Sequence, residues 1–539
     1  MLHADVRRIY RFVVTTWTRK VSRCEAFAIV GLVILANVLV AAYLVRWDLG
    51  FNSDTAISGI AAHRLLQYGE RPIFVWGVGY QGLLLESHLI AALYALFGTH
   101  PMGAWAVSSA FFLALTSVFY ILVRKIYGWQ TAAWTVCLFL SSGPGIYMLF
   151  CRTMPNYTEV YLVGVITLLA SWSVLRRPPK VDRRLGIKAF ALGLVVGFAI
   201  YSYEQVLLFI GAALVYLGTE VAWRARQGDL SLRQFVRRLP RVWGVGSACA
   251  VPGIVLGMTP RWIYALSGGQ VVDHFDWSIS GTSCVERLIY GVRGFCDIFN
   301  ADTAWQQGVV LTGLVMPFLG VSLYGLFVVG RGVVRRSEGK ELIPWSPLLA
   351  LGWVVAAAFF SYDGIVHRSS ARYAAGLTLV IPVASAWLIV RGLERGGWVR
   401  LGAMVCGMLL VVSGGLRLEE HLTGPSQLTR LRAIASEMRT RELTYGYADY
   451  WLAYATTLLT TEQLILEPLE SNYNPSYGPL VAARDRVSLV DRIDDGPDQP
   501  RNSPYAIGER VTTPGGEYVV EESKTVADEI VFSVVRRAR

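Results

Sequence analysis

Four carboxylates in this chain stand at the ends of long apolar runs: Asp54 in GFNSDTAISG (50–59), Glu86 in LLLESHLIAALYALFG (83–98), Glu159 in RTMPNYTEVYLVG (152–164) and Glu204 in a turn between two runs. His367, Arg368 and Arg372 gather at the start of a late run, HRSSARYAAGLTLVIPVASAW (367–387). Carboxylates move protons, and a guanidinium can fork onto phosphate oxygens. Each residue also has a plainer role. Asp is a favoured helix N-cap, and NSDTAISG is a good helix start whether or not chemistry happens there. Glu86 also reads as a solvated interfacial carboxylate. Glu159 sits in the first turns of an apolar helix, where a carboxylate is costly unless functional or paired, here with Arg152. The late arginines also suit headgroup anchoring by snorkelling.

The elements that must position these groups are membrane helices. The chain has 539 residues, 54% of them hydrophobic and 17% charged, and its mean hydropathy is +0.43. Soluble domains carry about 25% charge, so a soluble enzyme of this size is excluded. Crossing the hydrocarbon takes about 20 mainly apolar helical residues. That measure gives about eleven spans, at 26–46, 102–123, 129–150, 156–175, 185–201, 205–223, 242–258, 308–330, 344–361, 372–390 and 401–416. The fold class is a polytopic α-helical membrane protein.

Lys and Arg collect in the N-terminal segment and in alternate loops at 176–184, 224–241 and 331–340. Basic loops stay in the cytoplasm, so the N-terminus is expected inside, and an odd span count puts the C-terminus outside. The net charge of +11 is distributed as topology requires, and no nucleic-acid partner is read from it. The first run is late and long enough to span, so no cleavable signal peptide is expected. Three regions follow: a cytoplasmic segment 1–25, a membrane domain 26–416 and an extracytoplasmic domain 417–539. Within the first outer loop, 55–72 places Ile57, Ile60, Ala61 and Leu65 on one helical face, the pattern of a helix lying in the interface. The stretch 83–98 reads as a second, too short to span comfortably.

From residue 424 charge rises, and the pattern alternates: helix 426–443, strand 444–447, helix 449–459, strand 463–466, helix 479–484, strand 487–490, a hairpin in GERVTTPGGEYVVEE and a final strand IVFSVVRR. This is a small α/β domain. Its aromatics Tyr445, Tyr447, Tyr450, Trp451 and Tyr454 could stack on a flat ligand face, though a core or interface role suits them better.

The order of these features resembles the GT-C superfamily of membrane glycosyltransferases, which includes protein O-mannosyltransferases and lipid A aminoarabinose transferases. The residues that carry the resemblance are Asp54 near the end of the first span, LLQYGERPIF (65–74), GYQGLLLESHLIAALYALFGTHPMGAW (79–105), the RY…P start of the late span, and YGYADYWLAY (445–454). Many relatives follow the acidic residue of the juxtamembrane helix with Lys-Pro; this chain has Ser87 and His88, which leaves the mode of donor phosphate binding open. The resemblance implies a sugar donor on polyprenyl phosphate, a glycan, lipid or protein acceptor, and transfer at the outer face of the bacterial inner membrane. It implies Asp54 as general base of an inverting transfer and matches Glu86 to the acidic residue of the juxtamembrane helix; Glu159, by its place at an outward helix end, is a candidate for a further acidic site residue. Arg372, Arg368 and His367 become candidates for the phosphate, and His88 and Glu204 for other substrate contacts. Some members use a divalent cation held by acidic loop residues and others do not, so the metal is unknown.

Other signals weigh less. GVGYQG (77–82) matches G-x-G-x-x-G but lacks the strand and βαβ unit of a dinucleotide site; its glycines suit a turn between the two loop helices. VVDHFDW (271–277) has metal-ligand residue types and reads better as a solvated loop, and NYT at Asn156 is a chance sequon. Cys284 and Cys296 share a large outer loop, which makes a disulfide an open expectation. The alternatives to an enzyme are a transporter or flippase for a lipid-linked glycan and a non-catalytic envelope assembly factor. A transporter places its key charges near mid-membrane, often in repeated halves; here the carboxylates cluster at one face and no repeat stands out.

Overall fold

The computed structural model describes residues 22–76, 81–152, 156–176, 182–226, 230–269, 346–361, 375–395, 397–469, 474–492, 505–527 and 530–538. The expected span 308–330, Cys284, Cys296, the 271–277 motif, and His367, Arg368 and Arg372 lie outside the described residues.

The first helix, α1 (Arg23–Val45), is capped by Ser22 and leads through a 3-10 turn at Trp47–Gly50 into α2 (Ser53–Tyr68). After α3 (Leu84–Phe97) come α4 (Met102–Tyr127), α5 (Trp129–Leu140), α6 (Pro144–Phe150) and α7 (Tyr157–Arg176). The series continues with α8 (Arg183–Ser202), α9 (Val206–Arg226), α10 (Leu230–Gly257), α11 (Thr259–Leu266), α12 (Pro347–Ser361), α13 (Leu377–Arg395) and α14 (Gly397–Thr423). Among the described residues seven helices are long and apolar enough to cross a membrane, or nine with each of two bent pairs taken as a span. The expected count of eleven is not reached within them.

One expected span has a different shape. The run 129–150 is two helices, α5 and α6, that meet at 88°. Gly143 turns the chain at φ 110° and Pro144 opens α6; a proline at the first helical position is pre-set for that start. The Tyr147 hydroxyl donates to the Leu140 carbonyl at 2.8 Å, which satisfies a group the break leaves open.

Helices α8 and α10 pack backbone to backbone. A Cβ on Gly193 or Gly197 would stand 2.2 or 2.1 Å from the Ala250 or Ile254 carbonyl oxygen, and one on Gly253 or Gly257 would stand 2.3 or 2.2 Å from those of Phe190 or Leu194. Both helices carry glycine every fourth residue here, the spacing that lets membrane helices approach closely.

The tail begins with α15 (Gln427–Thr440), capped by Ser426. Then follow β1 (Tyr445–Ala448), α16 (Tyr450–Leu459), β2 (Ile465–Pro468), α17 (Tyr477–Ala482), β3 (Arg486–Arg492), β4 (Arg510–Thr513), β5 (Gly516–Val526) and β6 (Ile530–Arg537). They form one six-stranded sheet in the order β2-β1-β3-β6-β5-β4. β1 runs parallel to β2 and β3, and the other pairs are antiparallel. The α/β character expected of the tail is present, each element within a few residues of its expected place.

The tail is joined to the first loop by a common core. Phe51, Ala56, Ile57, Ile60 and Ala61 pack with Leu428, Leu431, Leu452, Tyr454, Ala455 and Leu458. The apolar face of α2, expected to lie against lipid, is therefore covered by protein. Helix α3 is arranged the opposite way: Glu86, Ser87 and Ile90 are buried while Leu96 and Phe97 are 75% and 81% exposed. An apolar face turned outward with its carboxylate turned inward suits a helix beside the bilayer.

Candidate active site

The end of α1 and the start of α2 place Asp54. Asn52, not Asp54, caps α2: its side chain accepts from the Thr55 amide at 3.3 Å. Asp54 lies in the first turn, where the unsatisfied amides of a helix N-terminus favour negative charge, and its carboxylate is free of capping. Oδ1 accepts a hydrogen bond of 2.6 Å from the Tyr450 hydroxyl, at the start of α16. Oδ2 faces a guanidinium nitrogen of Arg152 at 3.8 Å. The Asp54 side chain is 19% exposed, so one oxygen is fixed and the other stands beside a cation within reach of solvent. Next to it, the Ser53 hydroxyl donates to the Tyr450 carbonyl and accepts from the Tyr454 amide, the latter at 3.1 Å.

Glu86 and Glu159 lie deeper. The hydroxyls of Ser58 and Ser108 donate to the Glu86 oxygens at 3.1 and 3.4 Å. Ser58 is one turn after Asp54 on α2, so Glu86 ties α2 to α3 and α4. Burial first, and the Glu159 carboxylate second, hold the Glu86 carboxyl well above the usual carboxylate range, against the hydrogen bonds from Ser58, Ser108 and the Asn156 backbone. Glu159 is 7% exposed, and its Oε1 has no hydrogen-bond partner among the described residues. Asn156, which precedes α7, holds a left-handed φ of 71° and is buried; its Nδ2 also has no partner among the described residues. Arg152, expected beside Glu159, reaches Asp54.

The remaining candidates fall elsewhere. His88 is exposed on α3, where its Nδ1 donates to the Leu84 carbonyl at 2.6 Å. Glu204, buried in the turn between α8 and α9, pairs with Arg261 at 2.8 Å. On either side of the undescribed part of GVGYQG, Phe74 and Gly82 form an antiparallel bridge. Gly82 abuts the Tyr201 ring, and the Tyr201 hydroxyl donates to the Ile73 carbonyl, which fixes the start of α3 against α8.

Of the tail aromatics, Tyr447 and Tyr454 are core residues, Trp451 is 44% exposed, and Tyr445 lies under Arg484 with 4.4 Å from guanidinium to ring centre. Tyr450 is the one that reaches Asp54. Sequence reasoning missed it because its signal, an aromatic at a helix start, is also that of a core residue. Among the described residues no three His, Cys, Asp or Glu side chains come together as a metal site. Among the described residues the neighbours of Asp54 are a cation and a hydroxyl donor.

No family model and no curated protein matches the chain. Solved structures do. ArnT from Cupriavidus metallidurans in the apo state aligns with a TM-score of 0.52 at 15% identity, over 94% of this chain and 98% of that one. ArnT bound to undecaprenyl phosphate aligns with a TM-score of 0.51 at 14% identity, over 94% and 97%. The Archaeoglobus fulgidus oligosaccharyltransferase in the apo form gives 0.52 at 13% identity, over 89% and 70%. At these identities the likeness is one of fold: the chain shares the fold of these GT-C transferases, the class its first-loop motifs resemble.

Proposed function

We propose that this protein is a membrane glycosyltransferase that moves a sugar from a polyprenyl-phosphate carrier to an acceptor at the outer face of a bacterial inner membrane, with inversion. The observation that carries the reading is the Asp54 carboxylate: released from capping by Asn52, partly exposed, and set between Tyr450 and Arg152. The fold supports the choice of donor, since ArnT has been solved with undecaprenyl phosphate bound. The basic N-terminal segment and alternate basic loops support the orientation. The shared core of tail and first loop supports a common side for both.

In the reaction the acceptor hydroxyl oxygen attacks the anomeric carbon and its proton passes to Asp54 Oδ2. The bond from that carbon to the phosphate oxygen breaks, and the polyprenyl phosphate leaves with the electron pair. The negative charge that the leaving phosphate gains falls on the face of the anomeric carbon opposite the base, and the candidates to bind it are Arg372, Arg368 and His367. Glu86, whose carboxyl burial holds above the usual carboxylate range, keeps α2 in register through Ser58. No step is assigned to a metal.

The test is mass spectrometry of envelope glycans from a strain carrying Asp54→Asn, compared with wild type and a deletion strain, with membrane levels of the protein measured alongside. A variant made at normal level whose glycans match the deletion supports the reading, and the missing sugar names the donor. A deletion that changes a glycan, with a variant that behaves as wild type, rejects Asp54 as base.

A further inference from the structure

We propose that Tyr450 is a positioning residue for the reaction, and that the tail domain is thereby a working part of the active site. This rests on the reading of Asp54 as base. The hydroxyl donates to Asp54 Oδ1 at 2.6 Å from the other end of the chain.

Tyr450 is itself fixed on three sides. Asp449 caps α16, accepting from the Trp451 amide at 3.0 Å, and its own amide donates to the Val490 carbonyl of β3 at 2.9 Å. The Tyr450 ring stands edge-on to Trp451 and Tyr454, with centroids 5.1 and 6.2 Å away. Its backbone carbonyl accepts from Ser53. Two successive residues of the first loop, Ser53 and Asp54, thus engage the first turn of α16, one through backbone and one through side chain.

The consequence is geometric. A carboxylate on a single side-chain torsion can rotate and offer either oxygen. Tyr450 occupies Oδ1 and leaves Oδ2, the oxygen on the Arg152 side, to take the proton. A base held in one orientation need not be ordered at the moment of reaction. Undocking the tail would remove the hydroxyl, so the site is complete only with the tail in place.

The experiment uses the full-length protein in lipid nanodiscs. The donor probe is the polyprenyl-lipid extract of the deletion strain, the acceptor is that strain's envelope, and transfer is read by mass spectrometry at varied extract. Tyr450→Phe keeps the ring and both Ser53 contacts. Its maximal rate is expected to fall about 10- to 100-fold, the range for a lost hydrogen bond to a charged group. The half-saturating extract and the hydrogen-exchange protection of Ser53–Tyr68 are expected to stay at wild-type values. A maximal rate within twofold of wild type, alongside an inactive Asp54→Asn, overturns the role of Tyr450 and leaves the base in place. A fall accompanied by lost protection or a changed half-saturation also overturns it, since Tyr450 would then be a docking or binding residue. An active Asp54→Asn removes both readings together.

Discussion

Replacing Glu462 by Gln tests how the tail is held on the first loop. Glu462 accepts from His63 Nδ1 at 2.7 Å, from Arg64 at 3.0 Å and from the Tyr477 hydroxyl at 2.6 Å, and its side chain is 8% exposed. His63 and Arg64 belong to α2, so one carboxylate joins loop to tail. Burial pushes the Glu462 carboxyl up, but the hydrogen bonds from His63, Tyr477 and Arg64 and the Arg64 charge outweigh it and hold it below the usual range. Thr461 and Glu462 both adopt left-handed φ values, 49° and 58°, a strain that persists where surrounding contacts over-determine it. Glutamine keeps the shape and drops the charge. Arg64 retains Glu70 at 2.6 and 2.8 Å, so the loss falls short of the 3–5 kcal/mol or so of a fully broken buried pair. About 2 kcal/mol is expected, roughly 30-fold in the opening equilibrium. Amide hydrogen exchange on the full-length protein reads it: protection of α2 and α16 should fall about 30-fold while that of β3 and β6 is unchanged. A change under about threefold refutes the latch, and loss across the sheet shows an unfolded tail instead. The carboxyl is depressed in the folded state, so its contribution is present above the unfolded value of about 4.3 and lost as pH falls through the folded value. Wild-type docking should weaken in acid, and the variant should be flatter there.

Two further outcomes follow from packing and burial. Gly197→Leu drives a side chain into the Ile254 carbonyl and should lower the thermal midpoint of the detergent-solubilised protein, at a cost of at least about 2 kcal/mol; Gly218→Leu, with nothing within 4 Å of its Cβ, should leave it unchanged. Burial pushes the carboxyl of Glu467 on β2 up to about 8, so the native state holds a proton the unfolded chain releases, and stability falls as pH rises from about 4.3 to about 8. Glu467→Gln should remove that slope and raise tail stability at neutral pH, read by denaturation monitored across that range.

What was legible in the chain is what neighbours along the chain decide. Apolar length marked the spans, and turn and capping residues marked the tail: Ser426 and Asp449 cap the helices whose starts they suggest. The 88° break within 129–150 escaped because hydropathy counts apolar residues without regard to direction, although Gly143-Pro144 carried the signal. Asn52 as the true cap was also readable, since it stands two residues before Asp54 with the same capping chemistry. Contacts across the chain were not readable. The apolar stripe of α2 is the same whether lipid or protein covers it, and only the shared core shows that the tail does.

The same limit explains the site. Position alone made Asp54 as good a cap as a base, and the two roles compete for the same lone pairs. Asn52 takes the capping bond, and the partners of Asp54 come from the broken helix and from the tail. Arg152 can reach it because α6 turns away from α5, ending two residues before Arg152. Tyr450 can reach it because Ala56, Ile57 and Ile60 seat α2 on α16. The two irregular features, a span that breaks and an interfacial helix whose apolar face is not given to lipid, are the ones that bring a cation and a hydroxyl to a single carboxylate.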